Sequence, residues 1–290
     1  MKLSLSMIVK NEENHLATAL DSVSGIHEIV ICDTGSTDNT VELAKKYTDK
    51  VFTDYTWNDN FAEARNHALS KCTGDWILIV DADERLTTPI EEVIKYVTEA
   101  DQKGLKTISC KVISEKWNQM HRQPRLFKRC DEVFWKGAIH NHLSVDEHNY
   151  QDIEVYYGYS DAHQKDPDRA LRILTKVVDE NPDCAREKYY LAREYWYRHN
   201  YKTALYWYQE YISVSKYPAE LADAYLMSAR CLYALGDPEQ AKTMCFNAIK
   251  INTNFKEAIL FLASLSGPKN KKRWNDFAEG ATNEDVLFIR

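Results

Sequence analysis

The stretch that decides the fold is GDWILIVDADE, residues 74–84. Trp76, Ile77, Leu78, Ile79 and Val80 form an unbroken apolar run, closed by Asp81, Asp83 and Glu84. An apolar run this short, ending in acids, is a strand, and a strand apolar at every position is covered on both faces. Residues two apart on an extended chain project to the same side, so Asp81 and Asp83 are expected as a carboxylate pair at the strand end. Two adjacent acids there repel each other. A hard divalent cation, Mg²⁺ or Mn²⁺, compensates with one or two protein carboxylates and leaves room for water and phosphates. A solvated acidic turn is the competing reading.

Working outward, Leu3 to Val9, Glu28 to Cys32 and Lys50 to Thr53 also read as strands. Between them, Leu16, Leu20 and Val23, then Val41, Ala44 and Tyr47, then Ala64, Ala68 and Leu69 recur at helical spacing. Thr88 is expected to cap a further helix opened by Pro89 and carrying Ile90, Val93, Ile94 and Val97 on one face. Strand–helix alternation predicts an α/β domain, a mostly parallel sheet with helices on both faces. Ligands of such sheets bind beyond the carboxyl ends of the strands. That directs attention to Asn11 and Glu12, to Asp33-Thr34-Gly35-Ser36-Thr37-Asp38, and to Asp81–Glu84. Gly35 permits a tight turn, and Ser36, Thr37 or Asp38 can cap the next helix. Arg65 stands on an Ala-rich turn, where it either binds phosphate or pairs with Glu63 or Asp59. From Leu105 to about Tyr159, strand-like pieces without helices predict a smaller, partly antiparallel extension.

Residues from Asp166 onward are helical and rich in aromatics. Ala170, Ala204 and Ala241 mark one repeating position, followed four residues later by Leu174, Tyr208 and Cys245. A helix–turn–helix period near 34 residues with small residues at helix contacts is similar to the tetratricopeptide pattern. The expected division is 1–163 for the α/β domain, 164–266 for the repeats, with Phe255 to Leu265 as a capping helix, and 267–290 as a tail. Concave repeat stacks hold peptides or partner proteins. The aromatic surplus between Tyr189 and Tyr211 suits such a partner or a homodimer.

Lys plus Arg number 37 and Asp plus Glu 44 in 290 residues, a net charge of −7. This gives no global attraction to nucleic acid. A local basic cluster, Lys269 to Arg273, reads as a solvated tail in preference to a phosphate-binding patch, and no amphipathic basic helix is apparent. Seven cysteines without C-x-x-C spacing argue against a disulfide framework or zinc ribbon. No apolar run approaches a membrane span, and Asn11, Glu12 and Glu13 interrupt any signal-peptide core, so a soluble cytoplasmic protein is expected.

In order, VKNEE (9–13), DTGSTDNT (33–40), ARN (64–66) and GDWILIVDADE (74–84) resemble the family 2 inverting glycosyltransferases of the GT-A fold. PRLFKR (124–129) and WKGAIHNHL (135–143) are similar to the distal part of that domain, particularly in the lipopolysaccharide-core glucosyltransferase branch. The resemblance implies a nucleotide-sugar donor, UDP-linked by expectation, bordered by Asn11 and Glu12. Asp33 would receive the base, with Gly35 and Ser36 shaping that wall. Arg65 would lie near the nucleotide or its diphosphate, Asp81 would face the ribose or the metal, and Asp83 would ligate the metal. Relatives usually carry His-Glu where this chain has His140-Asn141, so His140 and His142 are the candidate bases, with Asp146 and Glu147 behind them; His140 is equally a candidate third metal ligand. Tyr156 stands where relatives often place a metal-ligating His, with His163 as a replacement. The acceptor would be a hydroxyl on a protein, peptide, glycan or modified DNA base. The alternatives are a non-catalytic nucleotide-sugar-binding scaffold and, less favoured, a nucleotidyltransferase.

Overall fold

The computed structural model describes residues 1–114, 120–145, 147, 149–158 and 166–283. The chain divides into two units, one ending at Pro167 and the other beginning at Asp168.

In the first unit the elements follow as β1 (Leu3–Val9), α1 (Leu16–Asp21), β2 (Glu28–Asp33), α2 (Thr40–Ala44), β3 (Val51–Phe52), α3 (Phe61–Ser70), β4 (Trp76–Leu78), β5 (Glu84–Leu86), α4 (Ile90–Gln102), β6 (Thr107–Ser114), β7 (Met120–Lys128), β8 (Trp135–Lys136), β9 (His142–Leu143) and β10 (Tyr150–Tyr157). Eight strands form one sheet in the order β3-β2-β1-β4-β7-β6-β10-β5, and β8 and β9 form a separate ribbon. The run β3-β2-β1-β4 is parallel, with Val9 beside Asp33 and Leu5 between Ile29 and Leu78. Only β7 and β5 reverse direction. Both faces are covered. On one, Leu16, Leu20, Ala44, Val93 and Val97 pack with alternate residues of β1 and β4. On the other, Ala62 and Leu69 of α3 pack with Ile77, Ile79, Phe127 and Trp135.

One expectation of the sheet holds and two local ones need correction. The partly antiparallel extension is present, and β7, inserted between β4 and β6, makes it continuous with the parallel strands. Thr88 does not cap α4: its hydroxyl accepts from the Glu154 N–H at 2.9 Å and ties the helix entry to β10. Asp81 to Glu84 is a turn closed by Glu84 N–H donating to the Asp81 carbonyl at 2.9 Å, so the same-side projection of an extended chain does not apply.

The second unit comprises α5 (Arg169–Glu180), α6 (Ala185–Tyr197), α7 (Tyr201–Val214), α8 (Pro218–Ala234), α9 (Pro238–Ile251), α10 (Lys256–Ser264) and α11 (Pro268–Glu279). Ala204, Ala241, Leu174, Tyr208 and Cys245 are all fully buried, as the repeat spacing requires. Of the aromatics between Tyr189 and Tyr211, Tyr189, Tyr190, Tyr208 and Tyr211 are core, while Tyr197 and Tyr206 are exposed. Residues 268–279 are not a tail but a helix. Trp274 and Ala278 of α11 join the core built by α8, α9 and α10. All seven cysteines are free. No helix among the described residues is long and apolar enough to cross a membrane.

Candidate active site

The parallel register sets the carboxyl ends of β2, β1 and β4 side by side, and the first cluster forms where β1 and β2 end. Asn11 adopts a positive φ of 58°. Its N–H donates to Ser36 Oγ at 2.9 Å, and its Oδ1 accepts from the Thr37 N–H at 2.7 Å. The buried Asp33 carboxylate accepts from the N–H groups of Gly35 and Ser36, each at 3.0 Å. Gly35 holds φ at 104°, and a side chain there would meet only open space, so the glycine serves the turn. The Glu12 N–H donates to Thr40 Oγ1 at 2.7 Å, and Asp38 accepts from the Thr40 N–H at 3.0 Å, which fixes the start of α2. Hydrogen bonds thus gather Asn11, Asp33, Gly35 and Ser36 where β1 and β2 end, with Glu12 tied in through Thr40.

The second cluster surrounds Asp81. Arg65, one turn into α3, donates from Nη2 to Asp81 Oδ1 at 2.8 Å. Arg125 of β7 approaches Asp81 Oδ2 at 3.6 Å and pairs with Glu84 at 2.5 Å. Glu84 turns back so that its Oε2 accepts the Asp81 N–H at 2.9 Å. Arg125 and Glu84 are 5% and 6% exposed. The chain Arg65–Asp81–Arg125–Glu84 therefore alternates sign and locks the turn that carries Asp83.

Burial alone would raise the Asp81 carboxyl, but Arg65 and Arg125 outweigh it and hold it below the ordinary range. Glu84 goes the other way. Burial pushes it up to about 7 despite the pull of Arg125, and the charges of Asp81 and Asp83 push the same way. The Asp81 side chain stays 31% exposed.

The guanidinium of Arg65 lies 5.2 Å from the centre of the Trp135 ring and is 12% exposed. Its Nε and Nη1 are buried and have no hydrogen-bond partner among the described residues. Asn66, next in sequence, exchanges two hydrogen bonds with the Trp135 backbone, at 2.8 and 3.0 Å, and so fixes the ring beneath Arg65.

Sequence reasoning missed Arg125 and Trp135 as members of this site, and pointed to the Asp81–Glu84 segment without giving Glu84 a role. Their signals were present: an Arg inside the strand-like run RLFK, a third acid closing DADE, and a Trp opening the WKGAIHNHL segment.

His140 sits in a loop with φ of 50°, and His142 lies on β9; both side chains are exposed. The Ala138 carbonyl accepts from the Phe61 N–H at 2.8 Å, which ties this loop to the start of α3, one turn before Arg65. Tyr156 lies under the Arg85 guanidinium, 5.1 Å from its ring centre. Asp146 and His163 lie outside the described residues. Among the described residues, no group of three or more His, Cys, Asp or Glu side chains is placed to hold a metal.

Residues 4–144 match the profile of Glycosyl transferase family 2, and residues 223–250 match that of a tetratricopeptide repeat. Residues 4–144 are a glycosyl transferase family 2 domain. An uncharacterized glycosyltransferase of Rickettsia typhi is 39% identical over 101 residues, covering 33% of this chain and 32% of that protein. The lipopolysaccharide core biosynthesis glycosyltransferase LpsC of Rhizobium meliloti is 36% identical over 98 residues, covering 32% and 36% respectively. The matched part of this chain thus spans about a third of each of these relatives. The crystal structure of TarS from S. aureus superposes with a TM-score of 0.50 at 13% identity, covering 83% of this chain and 54% of that one. That likeness is one of fold, a GT-A-like sheet followed by a helical region. In the transferase domain, the two clusters above occupy the strand ends where such a sheet binds ligands.

Proposed function

We propose that this chain is an inverting glycosyltransferase that moves a sugar from a nucleotide-sugar donor, a UDP-sugar by preference, to an acceptor hydroxyl. The observation that carries the reading is Arg65. A largely buried guanidinium with Nη2 on Asp81 and two nitrogens, Nε and Nη1, without a hydrogen-bond partner among the described residues is a receptor for a diphosphate oxygen. In this reading Asn11, Glu12, Asp33, Gly35 and Ser36 border the nucleoside. Asp81, neutralised by Arg65 and Arg125, faces the ribose. Arg125 and Glu84 are positioning residues that hold the Asp81–Glu84 turn.

The residues fit a divalent cation of the hard, phosphate-sharing kind. Mg²⁺ and Mn²⁺ take one or two protein carboxylates and complete their shell with water and substrate phosphates. Asp83 is the half-buried carboxylate that would hold it, with Asp81 beside it in the same turn. When bound, such an ion neutralises charge on the departing diphosphate.

The acceptor hydroxyl needs a base within hydrogen-bond reach, and a neutral imidazole suits this near pH 7. His140 and His142 are the proposed bases, since Asn141 cannot take the proton. The helical unit offers a surface for a peptide or protein acceptor; glycan or modified DNA base acceptors are tested alongside.

A screen of nucleotide sugars for slow UDP or GDP release tests the reading without knowledge of the acceptor. Release that disappears in Asp83→Ala supports it. No release with any common nucleotide sugar, together with donor binding, favours the non-catalytic scaffold. Pyrophosphate as the product indicates a nucleotidyltransferase.

A further inference from the structure

A chain of net charge −7 places four cations, Lys269, Lys271, Lys272 and Arg273, within five consecutive residues. All four are exposed in the first turns of α11. None has an acidic partner among the described residues. Their sign is opposite to the one a helix N-terminus favours, so the helix gains nothing from them electrostatically.

Beside them stand three rings from two helices. Phe246 of α9 meets Trp274 with ring centres 5.6 Å apart, and Trp274 meets Phe277 at 6.1 Å. Phe246 and Phe277 are each 48% exposed, while Trp274 and Ala278 anchor α11 in the core. Lys269, Lys272 and Arg273 follow i, i+3, i+4, and Phe277 lies four residues beyond Arg273; the exposed Asp276, four residues beyond Lys272, shares that side, which therefore carries three cations, one acid and one ring. The side of α11 turned away from Trp274 and Ala278 is therefore net basic, with Phe277 at its edge.

We propose that α11, together with Phe246, is a docking face for an anionic lipid surface. The cations meet headgroup phosphates, and the exposed Phe246 and Phe277 enter the boundary between headgroups and acyl chains. Clusters of four or more Lys and Arg on an amphipathic helix have this use, and aromatic rings settle at that depth. Charge argues against a second copy of the chain, because a symmetric pairing would set four cations against four. Geometry argues against stacked bases, because the rings meet edge to face at 69° and 76° and form no parallel platform.

The test is sedimentation of the full chain with vesicles of phosphatidylcholine alone and of phosphatidylcholine with about a third phosphatidylglycerol. Wild type partitions onto the anionic vesicles only, and is released at about 0.5 M salt, where screening is nearly complete. Each cation contributes roughly fivefold, so Lys269→Ser/Lys272→Ser/Arg273→Ser lowers the partition coefficient about a hundredfold. Phe277→Ser weakens binding without altering its salt dependence. Equal partition onto neutral vesicles, no partition of wild type, or tighter binding to a single-stranded oligonucleotide each overturns the proposal. The wild-type measurement needs no variant to fold. UDP release is unchanged in the variants, so failure here is separable from failure of the transferase reading.

Discussion

Glu28→Gln is expected to destabilise the first unit by about 3 kcal/mol at pH 7 and by almost nothing near pH 2. The Glu28 side chain is 9% exposed at the amino end of β2. It accepts from Ser4 of β1, from Lys50 ahead of β3, and from both the N–H and the hydroxyl of Thr73, each at 2.7 Å, ahead of β4. One carboxylate thus ties together the starts of four neighbouring strands.

Burial would raise its pKa, but the bonds from Lys50, Ser4 and Thr73 outweigh burial and bring it from 4.5 down to about 2. A depressed folded-state value means the stabilisation is complete above pH 4.5 and is lost as pH falls toward 2. Over that interval the difference is worth about 3 kcal/mol, at 1.36 kcal/mol per pH unit. For a unit of this size, that lowers Tm by about 6–12 °C. Because Lys50 is 43% exposed, Lys50→Met should cost under about 1 kcal/mol. Urea and thermal melts at pH 7, 5 and 3 make the measurement. A loss that does not change with pH would refute the reasoning, since it would show a packing effect in place of charge. Donor binding well below Tm should survive, because the site lies at the opposite ends of the same strands.

Other outcomes follow from the same kind of reading. Glu84→Gln should flatten one part of the pH profile. With its value raised to about 7, folded Glu84 keeps a proton that the unfolded chain releases above 4.5, so wild-type stability falls as pH rises from 4.5 through 7. Melts at pH 5 and pH 8 should show the variant improving relative to wild type at the higher pH. Gly74→Ala should destabilise by about 1–3 kcal/mol in urea titrations, since its Cβ would lie 2.4 Å from Ser4 Oγ and 2.9 Å from the Ser4 nitrogen. Tyr189→Phe should lower the stability of the helical unit by about 1.5–3 kcal/mol, because the hydroxyl donates to the fully buried Asp223 at 2.5 Å. A melt of the helical unit unchanged by Tyr189→Phe would show that this bond contributes nothing net.

The parts of the fold legible in the sequence are those set by local periodicity. β1, β2, β4 and α3 announce themselves because their apolar residues recur at strand or helix spacing, and Ala204 and Ala241 because repeated contacts need repeated small residues. β5 has three residues and pairs with β10 about 70 positions later in the chain, a pairing no local pattern encodes. The placing of β7 beside β4 is equally non-local, and it delivers Arg125 to Asp81. Cys110, Leu126 and Phe127 give no hint of it. α11 escaped because its charges dominate the segment, while only Trp274 and Ala278 reveal a buried side. At the site, the residues beside strand ends were legible one by one. The alternating chain of Arg65, Asp81, Arg125 and Glu84 was not, since it draws on α3, β7 and the turn after β4.

Calorimetric titration of UDP in the presence of Mn²⁺ into wild type, Arg65→Met and Asp83→Ala bears most directly on whether Arg65 and Asp83 together receive a nucleotide diphosphate. Wild type should bind UDP, and bind uridine far more weakly. Each variant should lose at least about tenfold, the equivalent of one charge-assisted hydrogen bond. No UDP binding by wild type, or affinities that both variants leave unchanged, would contradict the assignment.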